Sequence, residues 1–302
     1  MKNVGTALLF SVWTLGGLAQ DGSNGNLTNT LLWKISGNGL SKPSYLYGTI
    51  HMICASDAIM SENLSKAITS ADEVYFELDL DNIVEMLQAV SKMKMNGDTT
   101  LKDLLEQNDY ELVKAYFDSI PTEIPFAMLE TFKPILTVPI IQEKSLDCET
   151  MTTMEQFIME KAKKSDKRIR GLETMAYQAG VLDSIPYKLQ AEQLLDYVRK
   201  SRRKETDDSE LREMMEAYKA QDLNKLEQLM LKNDMGVANF TEILLYRRNR
   251  NWVESLKSIL QEKSVLIAVG AGHLPGEEGM INLLKKAGYV VEPVENKVGR
   301  EI

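Results

Sequence analysis

The 302-residue chain holds only two histidines, and both occur in one short pattern, Gly48-Thr49-Ile50-His51 and Gly270-Ala271-Gly272-His273. Each pattern directly follows an apolar run, Tyr45-Leu46-Tyr47 in the first case and Val265-Leu266-Ile267-Ala268-Val269 in the second. Short, uninterrupted apolar runs bounded by glycine read as buried β-strands. Strands of that kind belong in parallel sheets, where ligands bind beyond the carboxyl ends. A parallel sheet that contains both runs delivers both imidazoles to the rim at the carboxyl ends of its strands. Histidine is the commonest metal ligand and titrates near neutrality, so the pair is the leading functional candidate.

The surrounding pattern repeats the logic. Ser44–Tyr47, a helix over about Ser61–Ala71 and the run Glu73–Asp79 read as strand, crossover helix and strand. Val265–Val269, a helix over 277–287 and Tyr289–Val291 read the same way. The expected fold is α/β: a mostly parallel central sheet built from two βαβ-containing halves, with helical insertions at about 80–165 and 186–260 forming a cap. A further strand is expected at Leu31–Ile35 and another at Lys167–Thr174, with Thr174 capping the next helix. We read 31–302 as one domain.

Composition narrows the classes. A net charge of -9 gives no basic field to attract a phosphate backbone, which argues against nucleic acid as a partner. At the N-terminus, Lys2 precedes an uncharged stretch, Val4 to Leu18, and the small residues Gly17-Leu18-Ala19 come before polar Gln20-Asp21. That order is expected of a signal peptide over 1–19, cleaved near Ala19, and 20–30 reads as a disordered leader. The protein is then expected to be exported, periplasmic or extracellular, with no stable membrane anchor. Cys54 and Cys148 either close a disulfide in that oxidising setting or remain two buried thiols, with Cys54 as a third metal ligand a further alternative.

Four polar residues fall at expected strand ends: His51, Glu77, Glu173 and His273. Glu77 follows Val74-Tyr75-Phe76, where an unpaired carboxylate is costly, so a cation or a metal should face it. Glu173 serves either the site or the first turn of the helix after it. Asp79 reads equally as a site residue or a helix cap, and Glu292 as structural. Arg248 and Trp252 are four apart and share a helix face. Arg248 either holds Glu77 or a substrate carboxylate, or belongs to a solvated basic face.

Tyr-Leu-Tyr-Gly-Thr-Ile-His51-Met, Val-Tyr-Phe-Glu77-Leu-Asp79, Arg-Gly-Leu-Glu173-Thr with Gln178, Arg248-Asn249 and Val-Gly-Ala-Gly-His273-Leu-Pro-Gly, taken in order, resemble the TraB/GumN superfamily. That superfamily includes the Tiki-type metalloproteases, and the resemblance spans about 30–295. It implies a divalent metal ion, manganese or cobalt with zinc as an option, held by His51, His273 and Glu77. By the same resemblance Glu77, Glu173 and Arg248 are the catalytic candidates, and a peptide or small molecule is the substrate. Two other readings stand beside it: a metal-free esterase-like hydrolase with histidine as general base, and a non-catalytic haem- or peptide-binding protein. Oligomeric state is left open.

Overall fold

The structure, a computed structural model, describes residues 28–58, 60–122, 124–143, 148–203, 209–232 and 240–297. The expected signal peptide and most of the expected leader lie outside the described residues. The leader's last residue, Thr30, is buried, and its hydroxyl donates to the Val294 carbonyl at 2.6 Å.

Eight strands are present among the described residues: β1 (Leu32–Ser36), β2 (Ser44–Thr49), β3 (Ile53–Cys54), β4 (Glu73–Phe76), β5 (Met151–Thr152), β6 (Arg168–Gly171), β7 (Val265–Gly270) and β8 (Val290–Val294). Six of them form one mixed sheet in the order β6-β4-β7-β2-β1-β8. The run from β6 to β2 is parallel throughout, whereas β1 pairs antiparallel with both β2 and β8. The sheet is thus mostly parallel, as expected, and helices pack around it.

Position in the sheet follows composition. β7 is the most apolar run and lies between two parallel neighbours, with Val265, Leu266, Ile267 and Val269 at 0% exposure. A strand buried on both faces must be apolar at every position rather than alternating. Each such side chain contributes roughly 1.5–3 kcal/mol. β6, at the sheet's edge, alternates instead, with only Ile169 buried in Arg168-Ile169-Arg170.

In each expected strand–helix–strand stretch the two strands are not neighbours in the sheet. The chain from β2 through helix Glu62–Ser70 reaches β4 by passing over β7, and from β7 through helix Met280–Lys286 reaches β8 by passing over β2 and β1. The two histidine-bearing strands are therefore direct neighbours, with Thr49 opposite Gly270.

Helical segments from the two inserted stretches form a second apolar cluster, in which Val113 and Phe117 meet Ala191, Leu194 and Val198. Lys133 is buried there, its ammonium donating to the carbonyls of Lys92 (2.5 Å) and Lys94 (3.1 Å) and standing 3.1 Å from Asp183.

β3 and β5 form a separate two-stranded ladder, Ile53 opposite Thr152 and Cys54 opposite Met151. Cys54 and Cys148 are disulfide-bonded with Cα atoms 5.5 Å apart, which resolves the open reading of the cysteines. The bridge closes a loop with a sequence separation of 94. Loop-closure entropy for a ring of that size predicts that Cys54→Ser/Cys148→Ser loses about 4–5 kcal/mol of stability in equilibrium denaturant unfolding. A loss near zero would mean that the reduced chain keeps the two segments together without the bond.

Candidate functional site

Four adjacent strands end along one edge of the sheet, and each places a polar residue just beyond its last ladder bond. Glu173 follows β6, Glu77 follows β4, His273 follows β7 and His51 follows β2. The ladder holds the first three in step: Gly270 N–H donates to Glu77 Oε1 at 2.9 Å, and Glu173 N–H to the Glu77 carbonyl at 2.9 Å. Glu77 is thus the first residue past its strand rather than within it.

Arg248 fills the centre. It stands at the start of helix Arg247–Glu262, directly after a π-helical turn, Glu242–Tyr246. A π turn shifts the backbone ladder by one residue and recurs at functional sites. Here the Leu244 carbonyl accepts from Arg248 Nη1 at 2.9 Å. Arg248 Nη2 donates to Glu77 Oε2 at 2.5 Å and to Glu173 Oε1 at 2.7 Å, and Nε donates to both Glu173 oxygens at 3.1 Å. Trp252 Nε1 adds a bond to Glu173 Oε2 at 3.0 Å, and its ring lies 4.7 Å from the Arg248 Cζ. Gln178 Nε2 reaches Glu77 Oε2 at 3.3 Å and Glu173 Oε1 at 3.2 Å. Of the two readings for Arg248, the structure takes the first: it is buried and holds both glutamates.

These contacts set the charges. Burial pushes the Glu77 carboxyl up, but the His273 ring (charged only in acid), Arg248, His51 and the Gly270 N–H overcome it and hold the pKa at about 2. Burial raises Glu173, and the neighbouring Glu77 charge adds to that, against the pull of Arg248 and Trp252. Burial also lowers His273 to about 4, so at neutral pH its ring is uncharged.

The tautomer of His273 follows from its neighbours. Asn249 Nδ2 donates to two carbonyls, His273 O at 3.3 Å and Glu278 O at 2.8 Å, which fixes the amide orientation. Asn249 Oδ1 therefore faces His273 Nδ1, at 2.6 Å, and must accept from it. The proton sits on Nδ1, and the Nε2 lone pair is turned inward. Arg248 Nη1 stands 3.3 Å from that Nε2, and Glu77 Oε1 is 3.8 Å from it.

His51 behaves differently. Its side chain is 73% exposed and its Nδ1 pairs with Glu155 Oε1 at 2.8 Å. The bond to Glu155 raises its pKa to about 9, with burial opposing, although exposure to water weakens such a pull. Its charge helps to lower the Glu77 carboxyl and the His273 ring. The structure thus brings Glu77, Glu173, Arg248 and His273 into direct contact and leaves His51 beside them, turned to Glu155.

The motif glycines have a steric reason. A Cβ on Gly48 would lie 3.1 Å from Ala271 Cα and 3.2 Å from Leu274 Cδ2, so one motif packs on the other. A Cβ on Gly270 would lie 3.3 Å from Glu77 Oε1. Asp79 Oδ1 accepts from Asp81 N–H at 3.1 Å in the turn before helix Ile83–Met93, and the cap of that helix is Asn82, so Asp79 is not the helix cap it could have been. Glu292 lies opposite Lys34 across the β1–β8 pair, 3.7 Å from its ammonium, in a surface ion pair.

The donors suit a divalent ion chemically: a neutral imidazole presenting Nε2 and an ionised carboxylate. Their 3.8 Å separation is short enough for both to reach one ion at about 2.0–2.2 Å each. Among the described residues, however, no group of three His, Cys, Asp or Glu side chains stands close enough to hold a metal ion. His51, turned to Glu155 through Nδ1, does not stand close enough to complete the expected three.

Two partners were absent from the sequence reading: Glu155 against His51 and the role of Asn249 against His273. The disulfide is the signal that could have found Glu155, because pairing Cys148 with Cys54 brings the segment after Cys148 alongside His51.

The sequence pattern of the TraB/PrgY/gumN family matches residues 31–293. The chain belongs to this family. Among similar proteins are "Metalloprotease TIKI homolog" of Nematostella vectensis, 24% identical with 88% of this chain and 67% of that protein covered, and "Metalloprotease TIKI2" of Danio rerio, at 22%, 87% and 61%. "Metalloprotease TIKI1" of Homo sapiens is 22% identical, covering 87% of this chain and 62% of that protein. The chain therefore spans about two thirds of the length of the relatives it matches. No solved structure matches it.

Two predictions follow from these contacts. Arg248→Met leaves two buried carboxylates without their cation, so unfolding free energy should drop by about 3–5 kcal/mol; a drop below about 1 would show that Glu77 and Glu173 are solvated or protonated instead. For pH, the folded value of His273 (about 4) lies below its unfolded 6.5, so the unfolded chain binds the proton first and stability falls as pH drops from 6.5 toward 4. Thermal melts across that window should show a shallower slope for His273→Gln than for the wild type; equal slopes would contradict the neutral ring.

Proposed function

We propose that this TraB/PrgY/gumN family member is an exported, metal-dependent hydrolase acting on peptides. The observation behind this reading is the pairing at the rim of an inward-facing His273 Nε2 with an ionised Glu77, 3.8 Å apart. A ring with its pKa near 4 is a feeble general base at neutral pH, but it is already in the neutral form that a ligand must have. His51, His273 and Glu77 would hold the ion, manganese or cobalt with zinc as an option. What such an ion supplies is a water of lowered pKa and a polarised scissile carbonyl.

The chain's own residues do the rest. Gly270 N–H and Arg248 fix the Glu77 carboxylate from two sides. Glu173, whose pKa burial raises, is the carboxylate suited to hold a proton during turnover, with Arg248 and Trp252 orienting it. Export is supported by the order of residues 1–19 and by the Cys54–Cys148 disulfide, which belongs in an oxidising compartment. The relatives named metalloproteases support the reaction class, at 22–24% identity.

One observation favours a second reading, a metal-free hydrolase or a binding protein. Arg248 already supplies a positive charge to Glu77 and Glu173 and approaches the His273 lone pair at 3.3 Å. The guanidinium and an ion would compete for that nitrogen.

Elemental analysis of the purified full chain, together with peptide-library cleavage in added manganese or cobalt, separates the readings. The expected outcome is near-stoichiometric metal and cleavage that chelator abolishes. His51→Ala and His273→Ala should each lower cleavage by at least 100-fold. Cleavage that survives chelator would favour the metal-free version, and absence of cleavage by metal-loaded protein would favour binding.

A further inference from the structure

The two histidines share more than a sequence setting. In each ring Nδ1 is the nitrogen held by a neighbouring side-chain oxygen, Glu155 Oε1 for His51 at 2.8 Å and Asn249 Oδ1 for His273 at 2.6 Å. We propose that Glu155 and Asn249 are matched positioning residues, each holding one histidine through Nδ1 so that Nε2 is the nitrogen presented to the ligand. This rests on the reading that both imidazoles act at the rim.

Both holders come from elements outside the parallel strands. Asn249 lies in helix Arg247–Glu262 and is buried, with its amide protons used on the His273 and Glu278 carbonyls. Its accepting oxygen has one orientation available, toward His273. Glu155 lies in the first turn of helix Met154–Lys164, which Thr153 caps by accepting from Gln156 N–H at 3.0 Å. A carboxylate is favoured at that helix end. Yet Glu155 is buried, and neither of its oxygens has a hydrogen bond of good geometry among the described residues; the His51 ion pair is its compensation. A buried carboxylate without other bonds is costly, which speaks against a purely packing role.

Three further contacts hold Glu155 in register with His51. The Cys54–Cys148 bridge and the β3–β5 ladder join the segments before and after them, and Met154 N–H donates to the Ile50 carbonyl at 3.1 Å. Each of these contacts involves a residue within a few positions of His51 or Glu155.

Positioning of this kind is general: the second nitrogen of a ligating histidine is usually held by a carboxylate or carbonyl, which sets tautomer and ring orientation. The two holders differ in charge, one a carboxylate and the other a neutral amide.

Long-range 1H–15N NMR on the full chain tests this directly, because only two imidazoles contribute. At pH 10, above the raised value for His51, both rings should be in the Nδ1–H form, the reverse of a free imidazole. Glu155→Leu should move only His51 to the Nε2–H form, and Asn249→Leu only His273. Glu155→Gln keeps an accepting oxygen and should leave His51 unchanged. Titration with cobalt(II) alone should show about 10–100-fold weaker binding in either leucine variant. Nε2–H at either wild-type ring, or leucine variants with unchanged rings, overturns the proposal. Both rings Nδ1–H in a wild type that binds no cobalt would instead sink the metal-dependent reading and leave the positioning intact.

Discussion

One guanidinium holds the functional edge of this protein together. Glu77 and Glu173 issue from neighbouring parallel strands, so the sheet itself forces two carboxylates close together in a poorly hydrated place. Like charges at that range cannot both stay ionised without a cation between them. Arg248 is that cation, and its planar, forked donors suit two carboxylates at once in a way that an ammonium does not. Helix Arg247–Glu262, the preceding π turn and the Trp252 ring beside the guanidinium all surround that group. Because each member neutralises another, the cluster behaves as a unit, and no single residue has a separable contribution.

The rim has a rigid side and a looser one. His273, Asn249, Glu77 and Arg248 are tied to the sheet and to one long helix through bonds of 2.5–3.3 Å. His51 stands in solvent beyond β2, tethered through Glu155 and a two-stranded ladder with a disulfide. A site built this way keeps its charge pattern on the rigid side whatever the exposed imidazole meets through Nε2.

Much of this was legible in the sequence, for identifiable reasons. The β2 and β7 runs could be read because doubly covered strands must be apolar throughout, and that pattern needs no knowledge of neighbours. Glu77 could be singled out because a carboxylate after Val74-Tyr75-Phe76 demands a partner. Which partner was not legible: Arg248 lies 171 positions away, and local spacing also allowed a solvated basic face. Strand order was hidden for the same reason. The local strand–helix–strand pattern was correct, yet it could not show that β7 inserts between β2 and β4. Glu155 escaped because its meaning depends on a ladder of two residues per strand, too short to leave a periodic signal. Asn249 was read as part of a motif, but its role depends on which way its amide points.

Trp252 offers something practical. Of the two tryptophans among the described residues, Trp33 and Trp252, it is Trp252 that touches the rim, its indole N–H on Glu173 and its ring centroid 4.6 Å from that of His273. Indole emission responds to nearby protons and charges, so the protein carries its own optical sensor at the place where chemistry is expected. In a chain without residues 1–19, and so without Trp13, replacing the sheet-embedded Trp33 would isolate that signal and allow ligands to be screened before any turnover assay exists.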